Sequence, residues 1–290
     1  MIDAERISPL RTTNAARPPR LMAVLAHPDD ESLGVGGTLA KYVAEGADVF
    51  LLTATRGDSG RYRGFRPGDQ QHPGSSTLAN IRETELRAAA SALGVREVSL
   101  LEYRDQHLDG ANPREVVAAI VKHFRHVQPD VVVTFGPDGA YGHPDHIAVS
   151  QFTTAAIVAA ADPSFSCDGI EAMRPHAVSK LYYMAWPEST WKAYQAAFRK
   201  LVSTVDGVER QAVPWPDWAI TTVIDTRSYW PTVWQAISCH ESQVTAYERL
   251  NHLSPEDHEA LWGQQSFYRA FSIVSGGRAR ETDLMEGIRT

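Results

Sequence analysis

Two short apolar runs, each followed closely by His-Pro-Asp, constrain the fold of this chain more than any other feature of its sequence. The first run is residues 21–25, and His27, Pro28, Asp29 and Asp30 come just after it. Five consecutive apolar residues predict a short strand buried on both faces, as in a parallel sheet. Proline cannot donate to a sheet ladder but is favoured in the first turn of a helix, so the strand should end here. The sequence thus predicts a strand-to-helix turn that carries a histidine and two carboxylates.

The second run is residues 131–135, after which a glycine-containing loop leads to His143, Pro144, Asp145 and His146. Again a buried strand is predicted to end in a loop, and a helix opens with proline and aspartate. Open α/β sheets bind their ligands at the carboxyl ends of the strands. If both strands belong to one parallel sheet, the two His/Asp clusters emerge at the same edge.

The apolar pattern alternates between strand and helix over the first half of the chain. Strands are predicted at residues 21–25, 49–53, 98–101 and 131–135, and helices at residues 32–45, 77–93, 113–126 and 145–161. Such alternation indicates a doubly wound parallel sheet. The polar segment at residues 55–76 follows a strand, so we expect it to overhang the same edge. The predicted fold class is α/β, a Rossmann-like three-layer α/β/α arrangement with a mostly parallel sheet and additional C-terminal strands and helices.

The alternation becomes less regular in the second half of the chain. Strands are predicted at residues 180–184, 219–224 and 267–275, a long helix at residues 230–251, and a further helix after the capping residue Ser254. Because no linker rich in glycine, serine or proline separates the halves, we predict one domain over residues 20–290. Within it, residues 20–161 form the parallel core and residues 162–290 complete the substrate pocket, while residues 1–19 form a flexible leader.

Composition excludes several classes of protein. The formal net charge of −7 argues against a nucleic-acid partner. No window approaches the ~20 apolar residues of a membrane span, and residues 1–20 have no apolar core of the kind a signal peptide needs. The cysteines, Cys167 and Cys239, are interpreted as reduced thiols. We therefore expect a cytoplasmic protein without membrane insertion, and the sequence leaves a homo-oligomer open.

The residue types in the two clusters suit a catalytic metal ion. Two histidines and one aspartate, with a coordination position left open, are a ligand set that Zn²⁺ accepts. His27 and Asp30 are three residues apart, so one helical turn can aim both at one point, and His146 is a candidate third ligand. Asp29 would then stand beside the metal as a general base. A lone histidine or aspartate is more often a surface or capping residue, but two such clusters after buried strands favour a metal site.

The residues of these clusters also carry a resemblance to a known family. Residues 26–31 (Ala-His-Pro-Asp-Asp-Glu) and residues 141–146 (Tyr-Gly-His-Pro-Asp-His) resemble the motifs of the PIG-L/LmbE family of zinc-dependent de-N-acetylases. This family includes enzymes that deacetylate N-acetylglucosaminyl-inositol in mycothiol biosynthesis and N-acetylglucosaminyl-phosphatidylinositol in GPI assembly. Weaker matches extend the resemblance to roughly residues 20–275 and lie at residues 82–86, 93–95, 103–105 and 240–243.

The resemblance implies a role for each matched residue. It implies that His27, Asp30 and His146 bind Zn²⁺, with Fe²⁺ able to occupy the same ligands, and that Asp29 is the general base. It further implies that a protonated His143 stabilises the oxyanion while Asp145 holds the imidazole of His143. Arg82 and Asp105 would contact sugar hydroxyls, and Tyr141 would lie near the bound carbonyl. Without the resemblance, Arg82 reads as a helix-surface ion pair with Glu83 or Glu85, and Asp105 as a turn residue.

The expected function is removal of the N-acetyl group from an N-acetylglucosamine-type sugar or soluble glycoside conjugate. Three alternatives stay open from the sequence. The first is an amidase of the mycothiol-conjugate type, which cuts a larger acyl group from the same amine. The second is a non-catalytic, metal-bound binding protein, and the third is a phosphoesterase with two metal ions. Arginines 56, 61, 63 and 66 of the long loop either contact an anionic or hydroxylated substituent or form an ordinary surface.

Overall fold

The computed structural model describes residues 17–167, 169, 172–197, 202–205, 207–274, 277 and 279–288. Most of the predicted leader, residues 1–16, lies outside the described residues, as does residue 275 at the end of the last predicted strand.

A seven-stranded sheet organises the described part of the chain. Its strands are β1 (Arg20–Leu25), β2 (Asp48–Thr55), β3 (Glu97–Tyr103), β4 (Val131–Thr134), β5 (Lys180–Ala185), β8 (Thr222–Asp225) and β9 (Gln264–Ser272), and a separate hairpin contains β6 (Val202–Val205) and β7 (Val208–Gln211). The order across the sheet is β3-β2-β1-β4-β5-β9-β8. Neighbours from β3 to β5 pair in parallel, whereas β9 pairs antiparallel with both β5 and β8.

Helices cover both faces of the sheet. They are α1 (Asp30–Ala44), α2 (Ser75–Leu93), α3 (Pro113–Val127), a short irregular α4 (Gly139–Gly142), α5 (Pro144–Ala161), α6 (Trp191–Ala197), α7 (Trp230–Ser238) and α8 (Pro255–Trp262). Helices α1, α2 and α7 contact one another, and α3 packs on α5. Right-handed crossovers in opposite directions put these two groups on opposite faces. The predicted three-layer α/β/α fold is therefore confirmed.

The strand order reverses between β1 and β4. From β1 the chain moves outward through β2 and β3, and it then returns to the other side of β1 with β4 and β5. In parallel sheets this reversal opens a crevice at the carboxyl ends of the two central strands. Both His-Pro-Asp turns follow these strands, so the topology brings them to one crevice.

The C-terminal half differs from the sequence prediction in one helix. The prediction of a continuous helix at residues 230–251 was wrong, because α7 ends at Ser238 and residues Glu241–His252 form 3-10 turns. At the break, the Ser242 main-chain N–H donates to the Glu85 carboxylate at 2.6 Å instead of to a helical carbonyl. The hairpin β6–β7 and helix α6 were not predicted.

Among the described residues, none of the helices combines the length and the hydropathy needed to cross a membrane.

The carboxylate of Glu281, which follows the last strand in the chain, is bound by side chains of the three neighbouring strands β5, β9 and β8. It is 3% exposed, and it accepts hydrogen bonds from Lys180 at 2.8 Å and Arg269 at 2.6 Å. The hydroxyls of Tyr182 and Thr222 donate to it at 2.7 and 2.9 Å. Burial alone would raise the pKa of Glu281, but these hydrogen bonds outweigh it and lower the pKa to about 2.

We expect Glu281→Gln to lower the free energy of unfolding by about 3 kcal/mol or more at neutral pH, because it leaves Lys180 buried without its counter-charge. The folded-state pKa of Glu281 is depressed, so its stabilisation is present above the unfolded value of about 4.3 and is lost as pH falls toward 2. Urea unfolding at a series of pH values should therefore show the two proteins converging in acid. Glu286→Gln, at an exposed position, is the control; a constant difference at all pH values would contradict the assignment.

Candidate active site

The turn after β1 is fixed by its own hydrogen bonds. The Asp30 carboxylate accepts the main-chain N–H groups of His27 at 2.7 Å and Ala26 at 3.2 Å. Within this turn, between His27 and Asp30, Asp29 has a φ of 107°, in the left-handed region that residues other than glycine rarely adopt. Strained conformations of this kind cluster at functional sites, where the surrounding structure holds them. The result is that the His27 and Asp30 side chains point to the same side of the turn.

The turn after β4 presents the second cluster through the start of α5. His143 caps this helix, since its Nδ1 accepts the Asp145 main-chain N–H at 3.2 Å, and Pro144 occupies the first helical position. His146 follows in the first turn and stacks on Phe135, with ring centroids 3.9 Å apart. The stack orients the His146 imidazole toward the β1 turn.

The three predicted metal ligands come together at the sheet edge. His27 Nδ1 lies 3.1 Å from His146 Nε2, and Asp30 oxygens lie 3.7 Å from His27 Nδ1 and 3.5 Å from His146 Nε2. Donor atoms in tetrahedral zinc sites are about 3.3 Å apart for metal–ligand bonds of about 2.0–2.1 Å. All three side chains are buried, with 9% or less of each residue exposed. The residue types suit a small divalent cation, and the two Asp30 distances are to different oxygens of its carboxylate, Oδ2 for His27 and Oδ1 for His146.

Two further groupings of acidic and histidine side chains overlap this set. The first consists of His27, His143 and His146, and the second of His27, Asp105 and Asp145. In each group, one nitrogen or carboxylate oxygen per residue lies within 4.8 Å of the others. His143 uses Nδ1 as a helix cap, and the two aspartates bind the far nitrogen of His27. The assignment of His27, Asp30 and His146 as the metal ligands stays a prediction, with His143 as a neighbouring alternative to Asp30.

The second nitrogen of His27 is held by two carboxylates. Its Nε2 lies 3.1 Å from Asp105 Oδ1 and 3.1 Å from Asp145 Oδ2. Burial alone would lower the pKa of His27, but the hydrogen bonds to Asp105 and Asp145 raise it to about 10. They favour a proton on Nε2, which would leave Nδ1 as the nitrogen available to a metal ion. Carboxylates behind a ligating histidine fix its orientation and raise its basicity.

The expectation that Asp145 holds the His143 imidazole is wrong in this structure. The Asp145 carboxylate accepts main-chain N–H groups from Gln106 at 2.6 Å and Leu108 at 3.0 Å, besides its contact with His27. Only the Asp145 main chain reaches His143. The carboxylate is drawn away because the Gln106 turn offers it two donors.

The sequence suggested a protonated His143, whereas the surroundings of the imidazole in this structure favour its neutral form. Burial and the charge of His27 lower the pKa of His143 to about 4. Since Nδ1 accepts the Asp145 N–H, the single proton of the neutral ring belongs on Nε2. His143 therefore offers an N–H donor to the crevice at neutral pH.

Arg82 lies beneath the β1 turn. It is 5% exposed, and its guanidinium donates to Gly57 O at 3.1 Å, to Asp29 Oδ2 at 3.1 Å and to Pro28 O. Gly57 has a φ of 63°, and a Cβ on it would come within 2.1 Å of the guanidinium, so the long loop can approach only with glycine there. Contact of Arg82 with a sugar hydroxyl stays a prediction.

The long loop overhangs the crevice, as the sequence predicted. Ser59 donates from its main-chain N–H to Asp105 Oδ2 and from its hydroxyl to Asp105 O, both at 3.1 Å. Asp105, 4% exposed, thus links the loop to His27, and its contact with a sugar stays a prediction. Among the loop arginines, Arg56 pairs with Glu83 at 2.9 Å and Arg63 lies 3.6 Å from Glu241.

Two tyrosines stand beside the ligands. The Tyr141 ring centroid is 5.3 Å from that of His146 and 5.8 Å from that of His143. Burial and the charge of Asp30 raise the pKa values of Tyr141 and Tyr194, so both remain hydroxyl donors. Tyr194, on α6, was not singled out from the sequence. The signal available was the abundance of Trp and Tyr in the second half of the chain.

Fold and site together define an α/β protein with a buried group of histidine and aspartate side chains that could hold a metal ion, at the carboxyl edge of its parallel strands. Residues 22–157 match the family described as PIG-L, GlcNAc-PI de-N-acetylase. A 1D-myo-inositol 2-acetamido-2-deoxy-alpha-D-glucopyranoside deacetylase of Kineococcus radiotolerans is 37% identical, covering 94% of this chain and 84% of that protein. A protein of the same name from Rhodococcus jostii is 39% identical, covering 93% of this chain and 98% of that protein. The chain therefore belongs to the PIG-L family of de-N-acetylases.

A solved structure agrees with the fold. N,N'-diacetylchitobiose deacetylase from Pyrococcus horikoshii superposes with a TM-score of 0.64 at 22% identity, covering 86% of this chain and 83% of that one. Membership of this family identifies the protein as a hydrolytic enzyme with a metal-binding site.

Proposed function

We propose that this protein removes the N-acetyl group from an N-acetylglucosamine-type sugar conjugate, with release of acetate and a free amine. The observation that carries the proposal is the convergence of His27, Asp30 and His146 within 3.1–3.7 Å, with Asp29 next to them in the chain. The relatives named as deacetylases of an N-acetylglucosaminyl-inositol support the same reaction class.

His27, Asp30 and His146 would hold the metal, which we propose is Zn²⁺; Fe²⁺ is accepted by the same imidazole and carboxylate donors. When bound, the ion supplies Lewis acidity, which polarises the acetamide carbonyl and makes water more acidic. Burial raises the pKa of Asp30 and lowers that of His146, so a cation between them favours the deprotonated carboxylate and the neutral imidazole.

Asp29 is the general base in this proposal. Its Oδ2 is anchored by Arg82 at 3.1 Å, and 14% of its side chain is exposed. The carboxylate takes a proton from the attacking water and later delivers it to the departing amine. His143, being neutral, donates its Nε2–H to the oxygen on which charge develops and does not supply the amine's proton.

The neutral state of His143 leads to a testable expectation. His143→Gln keeps an amide N–H close to the position of Nε2, so it should retain clearly more activity than His143→Ala, which we expect to lose about 10²–10³-fold in kcat. With a pKa of about 4, His143 should cause no fall in kcat as pH rises from 6 to 8. Measured pH profiles of the parent and of His143→Gln should coincide over that range; a limb present only in the parent would show that a protonated His143 is required.

Within this class, we propose a soluble N-acetylglucosaminyl glycoside as substrate, and cytoplasmic location remains a prediction. The named activity of the relatives makes an N-acetylglucosaminyl-inositol the first compound to assay. Tyr141, whose ring contacts His143 and His146, keeps its hydroxyl proton and could donate to a polyhydroxylated ligand. A panel of acyl groups on one amino sugar separates a deacetylase from an amidase that prefers larger acyl groups.

The direct test is an acetate-release screen over N-acetylated sugars, with the metal content of the same preparation measured in parallel. Acetate release from an N-acetylglucosaminyl conjugate, with one ion per chain, is the expected result. A metal-loaded protein that releases no acyl group from any member of the panel would instead favour the binding-protein alternative. Two ions per chain would favour the phosphoesterase.

A further inference from the structure

A buried carboxylate that the proposed chemistry does not use supports the Asp29 turn. Glu31, 0% exposed, accepts the Asp29 main-chain N–H on Oε2 at 2.9 Å. Its other oxygen, Oε1, accepts the Ser32 hydroxyl at 2.5 Å and His240 Nε2 at 2.8 Å. The carboxylate therefore spans from the backbone of Asp29 to a histidine of the C-terminal half.

His240 is buried and comes from a distant part of the chain. It is 1% exposed and lies 209 residues from Glu31, just beyond the end of α7. Its pKa is raised because the charge of Glu31 outweighs the effect of burial, and that of Glu31 is lowered in turn. Its Nδ1 finds no hydrogen-bond partner among the described residues. The described hydrogen bonding of its imidazole is thus directed at Glu31.

The energetics do not explain this pair as a stabilising feature. Removing two charges from water opposes their attraction, and apolar residues of similar volume often stabilise a protein equally well or better. What the pair does supply is a fixed direction for the Glu31 carboxylate. That direction is needed because Asp29 has a φ of 107°, which an aspartate holds only when its surroundings impose it.

The segment at residues 240–243 is itself anchored on the elements around the crevice. Ser242 donates from its main-chain N–H and its hydroxyl to Glu85 on α2, both at 2.6 Å. The Gln243 amide donates to Arg61 O of the long loop at 2.8 Å. Helix α2 also carries Arg82, the partner of the Asp29 carboxylate. Backbone and side chain of Asp29 are therefore held from two sides by elements that this segment connects.

We propose that His240 is a positioning residue for Asp29 and acts through Glu31, fixing the carboxylate that holds the Asp29 backbone. The inference rests on the proposed function, since it assumes that Asp29 is the base.

The matched pair His240→Gln and His240→Asn tests it. The Gln amide nitrogen reaches the position of His Nε2, whereas the shorter Asn amide ends near Nδ1 and leaves Glu31 without its donor. We expect His240→Asn to lower kcat about 10–100-fold with KM nearly unchanged, as is typical of residues behind a catalytic group, and His240→Gln to restore most of kcat. Equal kcat values for the two variants would overturn the proposal.

Glu31→Gln is a second variant that changes a single atom and keeps the shape of the buried side chain. An amide has only one acceptor oxygen, so it cannot accept from both the Asp29 main-chain N–H and a protonated His240 Nε2. A fall in kcat of about 10-fold or more, at constant KM, is expected. Unchanged kcat in this variant contradicts the proposal even if His240→Asn does not fold.

Two readouts separate positioning of Asp29 from other effects. Bound metal per chain should equal that of the parent in every variant, and parallel loss of metal and kcat would assign the effect to the metal ligands instead. His258→Gln and His258→Asn remove another buried histidine, which stacks on Trp230 and Trp262 away from the turn, and should leave kcat unchanged. Failure of the parent itself to release acetate would refute the proposed function, whereas an active parent with insensitive variants refutes only this inference.

Discussion

Asp29→Asn is expected to reduce kcat for acetate release by about 10²–10⁴-fold, the usual contribution of a positioned general base. The amide keeps the size of the side chain and an oxygen for Arg82, which contacts Asp29 Oδ2 at 3.1 Å, but it cannot accept a proton from water. Asp29 is not one of the converging ligands, so the metal content should stay at the parent value. Kinetics and metal analysis on one preparation check both statements.

Asp69→Asn is a suitable control, because this exposed carboxylate of the long loop accepts the Arg66 main-chain N–H. It should have the kcat of the parent. An Asp29→Asn protein that keeps more than about a tenth of the parent's kcat would remove Asp29 from the role of base.

His146→Ala is expected to abolish both metal binding and turnover. The residue is 2% exposed, and its Nε2 lies 3.1 Å from His27 Nδ1, another of the proposed ligands. Changes to residues behind metal ligands weaken binding about 10–100-fold, so removal of a ligand itself should exceed that. Equilibrium dialysis against Zn²⁺ measures the loss, and His126→Ala, at an exposed position on α3, should bind metal normally. Parent-like affinity in His146→Ala would show that the ion is bound elsewhere.

The sequence predicted the part of the site that depends on strand position alone. The apolar runs at residues 21–25 and 131–135 located the carboxyl ends of β1 and β4, and parallel pairing of these strands then brings His27 and His146 to the same edge. The start of α3 was predicted for a similar local reason, since the Asn112 side chain caps it by accepting the Arg114 N–H.

The supporting contacts could not be predicted, because they join residues far apart in the chain. His240 reaches Glu31 across 209 residues, and Asp145 reaches His27 across 118. The local sequence pattern favours an unbroken amphipathic helix through His240. In the structure α7 ends at Ser238, and the segment that follows it binds distant carboxylates instead: the His240 imidazole contacts Glu31, and the Ser242 main-chain N–H donates to Glu85. The role assigned to Asp145 failed similarly, because the donors of Gln106 and Leu108 come from another loop.

Diffraction from zinc-loaded crystals, with anomalous data collected at the zinc edge, tests most directly whether the two His-Pro-Asp turns enclose one cation. The account predicts a single peak per chain, about 2.0–2.2 Å from His27 Nδ1, His146 Nε2 and an Asp30 oxygen, with Asp29 outside the coordination sphere. A peak at another place in the molecule, or a peak with Asp29 among its ligands, would contradict it.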